Sequence, residues 1–172
     1  MDNLSKADQT PGVTSSAVSS ASALAPSVGL GAVSGKALRV TLDDTPLSEN
    51  PGGVDANMLV VHQQDIQMVV NNLWSGGAEA MTIQGQRVIS TTAVKCVGNT
   101  VVLHGVAYAP PYVIEAIGDP DALQKALDTS EAVRIYKEYV SAYQLGWSVE
   151  RAGRVTMPAY TGAVAISHAT PR

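Results

Sequence analysis

The stretch LRVTLDDTP, residues 38 to 46, sets the first constraint on any fold of this chain. Leu38, Val40 and Leu42 alternate with Arg39, Thr41 and Asp43, the period of two expected of a half-buried strand. Continued in register, Asp44 would enter the core, where an unpaired carboxylate is strongly disfavoured. The strand therefore has to end or bend at Asp44. Thr45-Pro46 agrees, because a residue before proline is biased towards extended or turn geometry. Asp43 is expected to face outward beside Thr41, and Asp44 to begin an acidic loop of roughly fourteen residues, a length that is unusual unless the loop is functional or mobile.

A second periodicity follows. In HQQDIQMVVNNLWSGG, Ile66, Val69, Val70 and Leu73 fall at i, i+3, i+4 and i+7, one face of a helix, with Asp65 in its first turn and Gly76-Gly77 as its stop. AMTI and QRVI flank Gln84-Gly85 and read as a hairpin. TVVLHGVAYAPPYVIEAIG carries two more strand-like runs around Gly105. Pro110 and Pro111 cannot donate to a ladder and belong at an edge, a bulge or a crossing loop. GDPDALQKAL starts a helix with Asp119 as N-cap and Pro120 at its first position. Ser130 caps another, in which Val133, Tyr136, Val140 and Tyr143 share a face and Gly146 supplies the end. WSVE and RVTMPAY are expected to close as a hairpin turned near Ala152-Gly153. This order predicts an α+β fold, ferredoxin-like or a related mixed or antiparallel sheet, with the helices packed on one face.

With 172 residues, 45% of them hydrophobic, the chain can build one well-buried core and not two ordinary ones. We place a single α+β domain at 37–160, between a flexible low-complexity arm at 1–36, rich in Ser, Ala, Gly, Pro and Thr, and a tail at 161–172. No run of about 18 apolar residues is present, so no spanning helix is expected in this chain. A net charge of −4 and scattered basic residues argue against a phosphate-binding surface, and no nucleic-acid partner is expected. Cys96 is alone and is expected to be a buried structural thiol. His62, His104 and His168 show no ligand spacing, so neither a metal nor another cofactor is expected.

Three residues stand out as candidate binding groups: Asp43, Asp44 and Arg87. Neighbouring carboxylates on an extended chain point opposite ways, so Asp43 and Asp44 are ill-suited to acid/base work on one substrate. With Glu49 and Asp55 they could offer oxygen ligands to a hard cation, although the spacing does not match a calcium loop. Arg87, between Gln86 and Val88 in a hairpin, is expected to pair with a carboxylate across the sheet. Ser90, Thr91 and Thr92 lack a nucleophile elbow, and there is no phosphate-binding glycine loop.

The series VTLDDTP, LVVHQQDI, GAEA, the Ile-x-Gly-Gln-Arg run at 83–87, STTAVKC, APPY and IGDP resembles a bacterial family known as domain of unknown function 881, or uncharacterised protein family 0749, particularly its actinobacterial members. The resemblance covers 38–160. It implies an envelope protein, anchored by an upstream transmembrane helix, with cell division as an associated process. This chain would then be the soluble portion of a longer membrane-anchored protein, touching the membrane only through a segment that it does not contain. The family carries no established activity. The reading that results is a non-enzymatic interaction or scaffold domain, with a protein partner in the cell envelope and homodimerisation as part of the expectation. The alternative is a small-ligand or divalent-cation sensor, with the acidic loop and Arg87 near a shared cleft.

Overall fold

The computed structural model describes residues 19–164 apart from 21, 47, 49–52 and 99, together with 168. Residues 1–18 and 21 of the expected arm, and 165–167 and 169–172 of the expected tail, lie outside these residues. Its frame is a five-stranded sheet built from β1 (Val33–Asp43), β2 (Ala80–Ile83), β3 (Gln86–Arg87), β7 (Tyr112–Ile117) and β8 (Gly146–Met157). Their spatial order is β3-β2-β7-β1-β8, and each neighbouring pair is antiparallel. Helix α1 (Gln63–Ser75) connects β1 to β2, while α2 (Pro120–Thr129) and α3 (Glu131–Tyr143) connect β7 to β8. The four long strands and these crossings reproduce the split βαβ arrangement of ferredoxin-like folds, as the order of periodicities implied. A second sheet, β4 (Val94–Val97), β5 (Thr100–Leu103) and β6 (Val106–Tyr108), is inserted between β3 and β7.

The core lies between the sheet and the helices. Leu38, Val40 and Leu42 of β1 meet Ile66, Val69, Val70 and Leu73 of α1, all buried, in one apolar cluster that also takes in Leu123, Leu127 and Val133. Each such burial contributes about 1.5–3 kcal/mol, enough to hold α1 in place on its apolar face. Asp119 caps α2 by accepting from the Asp121 amide at 3.0 Å, and Ser130 caps α3 by accepting from the Val133 amide at 3.4 Å. The Gln84-Gly85 turn has both residues at positive φ, 51° and 74°, the geometry that a two-residue hairpin requires.

Three expectations are corrected. The domain's first strand begins at Val33 rather than near Leu38, because Val33–Lys36 pair with Arg154–Met157 of β8. The expected terminal hairpin does not form: β8 is continuous, and Ala152-Gly153 is a bulge where the pairing of Ala37 with Gly153 gives way to that of Leu38 with Arg151. A glycine at φ 68° serves a bulge as well as a turn, and the partner strand β1 is long enough to pair on both sides of it. Helix α3 ends at Tyr143 through a left-handed Gln144, φ 60°, and Gly146 opens β8 instead of closing the helix.

Candidate functional site

The two aspartates at the end of β1 are occupied with backbone. The Asp44 amide donates to Asp43 Oδ1 at 2.9 Å, and the Val61 amide donates to Asp44 Oδ1 at 2.8 Å. Asp55 accepts from the Asn57 amide at 2.9 Å and caps the short 3-10 turn Ala56–Leu59. Glu49 lies outside the described residues. Among the described residues no group of three or more His, Cys, Asp or Glu side chains could hold a metal ion. The acidic stretch thus acts first as a set of staples that fold the 53–62 segment back onto the domain.

Arg87 is elsewhere and differently engaged. It sits on β3, three strand steps from β1, or about 14 Å at the usual strand spacing. Among the described residues, the concavity that Arg87 lines includes no residue of the acidic stretch. Nor does the expected ion pair form: among the described residues no carboxylate lies in salt-bridge range of Arg87. It is 4% exposed and donates to the carbonyls of Gly31 and Pro158, both at 3.1 Å, and of Pro26 at 3.4 Å. Burial lowers its pKa. Arg87 is a clasp holding the segments before β1 and after β8 together, reinforced by the Tyr160 amide donating to the Gly29 carbonyl at 2.8 Å. On the same face of the sheet, Arg39 bridges Glu115 and Glu150 at 2.7 Å each.

Cys96 is exposed on the outer strand of the small sheet, not buried. Its Sγ accepts from the Gln63 amide at 3.1 Å while its own amide donates to the Gln63 side chain at 3.0 Å. Among the described residues of this sheet, Val101 and Leu103 of β5 are buried in the core, while Val94 of β4 and Tyr108 of β6 pack against it partly buried. Thr92 Oγ1 and His104 Nε2 are 3.3 Å apart, and the hydroxyl already accepts from the Ile89 amide at 2.9 Å, so it closes a local turn.

One concavity combines apolar walls with ionisable and hydroxyl groups. A groove of about 390 Å³ runs between the 57–62 segment, the first turns of α1 and the outer flank of α3. Met58, Met68 and Ile135 provide apolar walls, and Asp65, His62 and Tyr136 supply the polar groups. Ile135 and Tyr139 are exposed at its rim, 43% and 44%. Asp65 fastens the start of α1, with Oδ2 accepting from the His62 amide at 2.8 Å and lying 3.8 Å from His62 Nδ1. Burial raises its pKa against the opposing pull of the His62 amide and ring. Tyr136 is nearly buried, and its hydroxyl has no hydrogen-bond partner among the described residues. Its pKa is raised first by burial, then by the carboxylates of Asp65 and Asp44. Asp44 also acts on Tyr112, whose hydroxyl is pushed up to about 12, chiefly by burial. Asp44 thus anchors, through the Val61 amide, the segment that forms one wall of the groove.

Similarity to other proteins agrees with this architecture. The model of a family described as "Bacterial protein of unknown function (DUF881)" matches residues 20–170. UPF0749 protein YlxW of Bacillus subtilis is 40% identical over 96 residues, covering 56% of this chain and 41% of that protein. UPF0749 protein Rv1823 of Mycobacterium tuberculosis is 33% identical over 147 residues, covering 83% of this chain and 46% of that protein. The chain therefore spans less than half the length of these curated relatives. A crystal structure of an uncharacterized conserved protein from Mycobacterium tuberculosis is similar with a TM-score of 0.65 and 26% identity, over 89% of this chain and 99% of that one.

Proposed function

The chain belongs to the DUF881 family of bacterial proteins of unknown function, and from that premise we propose that it is a non-enzymatic interaction domain that binds a protein segment in the groove between α1 and α3. The groove itself carries this reading. It is open, walled by methionine and aliphatic side chains, and rimmed by Ile135 and Tyr139, two large apolar residues held in water on a helix whose other face is core. Methionine-lined concavities adapt to a partner's shape, and large apolar side chains left exposed together mark an interaction surface. Within the same proposal, the domain is the partner-binding part of a membrane-anchored envelope protein with a role near cell division. Among the described residues no helix is long and apolar enough to cross a membrane.

The test uses the tagged full-length protein in its native host. Ile135→Asp places a charge on the rim, whereas Trp74→Asp alters an equally exposed position at the far end of α1, about 14 Å from Asp65 by helix rise. Both variants should keep the wild-type melting temperature. Loss of the native assembly on gel filtration with Ile135→Asp alone is the expected result. Equal assembly in both variants would refute the groove as the docking surface.

A further inference from the structure

The charge of the groove narrows its occupant further. Among the described residues no Lys or Arg lines it, while the Asp65 carboxylate does, with its side chain 18% exposed. The Oδ2 atom accepts from the His62 amide, and Oδ1 takes no hydrogen bond among the described residues. Tyr136, 5% exposed, adds a hydroxyl shielded from water and without a partner among the described residues. On the outer flank of α3, Arg134 is held between Glu131 and Glu138, so this trio contributes a net negative charge beside the groove. A neutral apolar occupant would cover Asp65 Oδ1 without offering it a donor and would leave the already buried Tyr136 hydroxyl unsatisfied, which is costly. An anion would meet the Asp65 carboxylate with no lysine or arginine among the lining residues to offset it. The missing group must donate hydrogen bonds, carry positive charge and possess an aliphatic stem.

We infer that the groove receives a lysine or arginine side chain, flanked by apolar residues, from a segment of a partner protein. The stem lies along Met58, Met68 and Ile135, and the cation sits between Asp65 and Tyr136 with the Tyr139 ring at the mouth. This inference rests on the interaction reading above and specifies its ligand.

Isothermal titration of the full chain with acetylated, amidated pentapeptides tests it, the central residue being lysine, arginine, norleucine or glutamate between leucines. The cationic peptides should bind at least about fivefold more tightly than the norleucine peptide, the size of one partly desolvated cation contact, and the glutamate peptide should bind most weakly. Asp65→Asn should abolish that preference. Tyr136→Phe, which deletes only an unpartnered hydroxyl and should leave folding intact, should reduce it. Norleucine binding as tightly as lysine would overturn the cationic occupant while leaving the interaction reading in place. Absence of saturable binding by both cationic peptides would also overturn it, and the Ile135→Asp assembly experiment would then judge the interaction reading by itself.

Discussion

The carboxylate of Asp44 holds the backbone amide of Val61 at 2.8 Å, across seventeen residues of sequence. Val61 is buried, and the segment that it leads into forms one wall of the groove. The hydrogen bond therefore links the end of β1 to the shape of the candidate binding surface. Asp44→Ala would leave a buried amide unsatisfied and should cost about 1–3 kcal/mol in urea unfolding. Asp44→Asn keeps an acceptor and should lose less than half of that. Equal losses would mean that the charge, not the hydrogen bond, secures the segment.

Arg87 makes a different demand, because three carbonyls from two separate segments converge on one guanidinium. Arg87→Met should destabilise the domain by about 2–4 kcal/mol and speed amide exchange at Tyr160, whose N–H reaches the Gly29 carbonyl. Arg87→Lys should recover less than half, since an ammonium cannot span the three acceptors that the planar fork reaches. Full rescue by lysine would show that only the charge matters.

The pH dependence of Asp65 has a definite sign. Burial raises its pKa above the ordinary value of 3.8, so the folded chain holds this proton more tightly than the unfolded chain. Its contribution to stability therefore falls as pH rises from about 3.8 through the folded pKa, and is flat above it. Other carboxylates titrate in both wild type and Asp65→Asn, so the informative quantity is the stability difference between the two. Wild type should lose stability relative to the variant as pH rises through that window; a gain would show that the His62 contacts outweigh burial.

Gly153→Ala tests the bulge in β8. Nothing lies within 4 Å of the added methyl, so the cost is that of forcing an alanine to φ 68°, about 1–2 kcal/mol. A neutral substitution would indicate that β8 can pair with β1 without the left-handed residue.

Elements whose determinants are local were readable from the chain. The α1 stripe of Ile66, Val69, Val70 and Leu73, the Asp119-Pro120 helix start and the Gln84-Gly85 turn each depend on residues within a few positions of one another. Ala152-Gly153 was ambiguous because a left-handed glycine marks both turns and bulges, and only the partner strand decides. Cys96 was expected to be buried as a lone thiol, yet its exposure follows from the outer position of β4 in a small inserted sheet. Arg87 stands out in the sequence as a charge in an apolar hairpin, but its acceptors at 26, 31 and 158 are carbonyls, which no side-chain pattern reveals. The groove joins residues 57–68 to 132–145, and no local periodicity brings those stretches together. The one available signal was Ile135 and Tyr139, apolar residues lying off the Val133–Tyr136–Val140 face of α3.

The most direct measurement of the groove as a docking surface is site-specific photo-crosslinking of the full-length protein in its native host, with the photoreactive residue at 139 or, separately, at 74. The interaction reading requires a discrete adduct from position 139 that is absent from position 74 and disappears when Ile135→Asp is added. Equal adducts from both positions, or an adduct at 139 that survives Ile135→Asp, would contradict it.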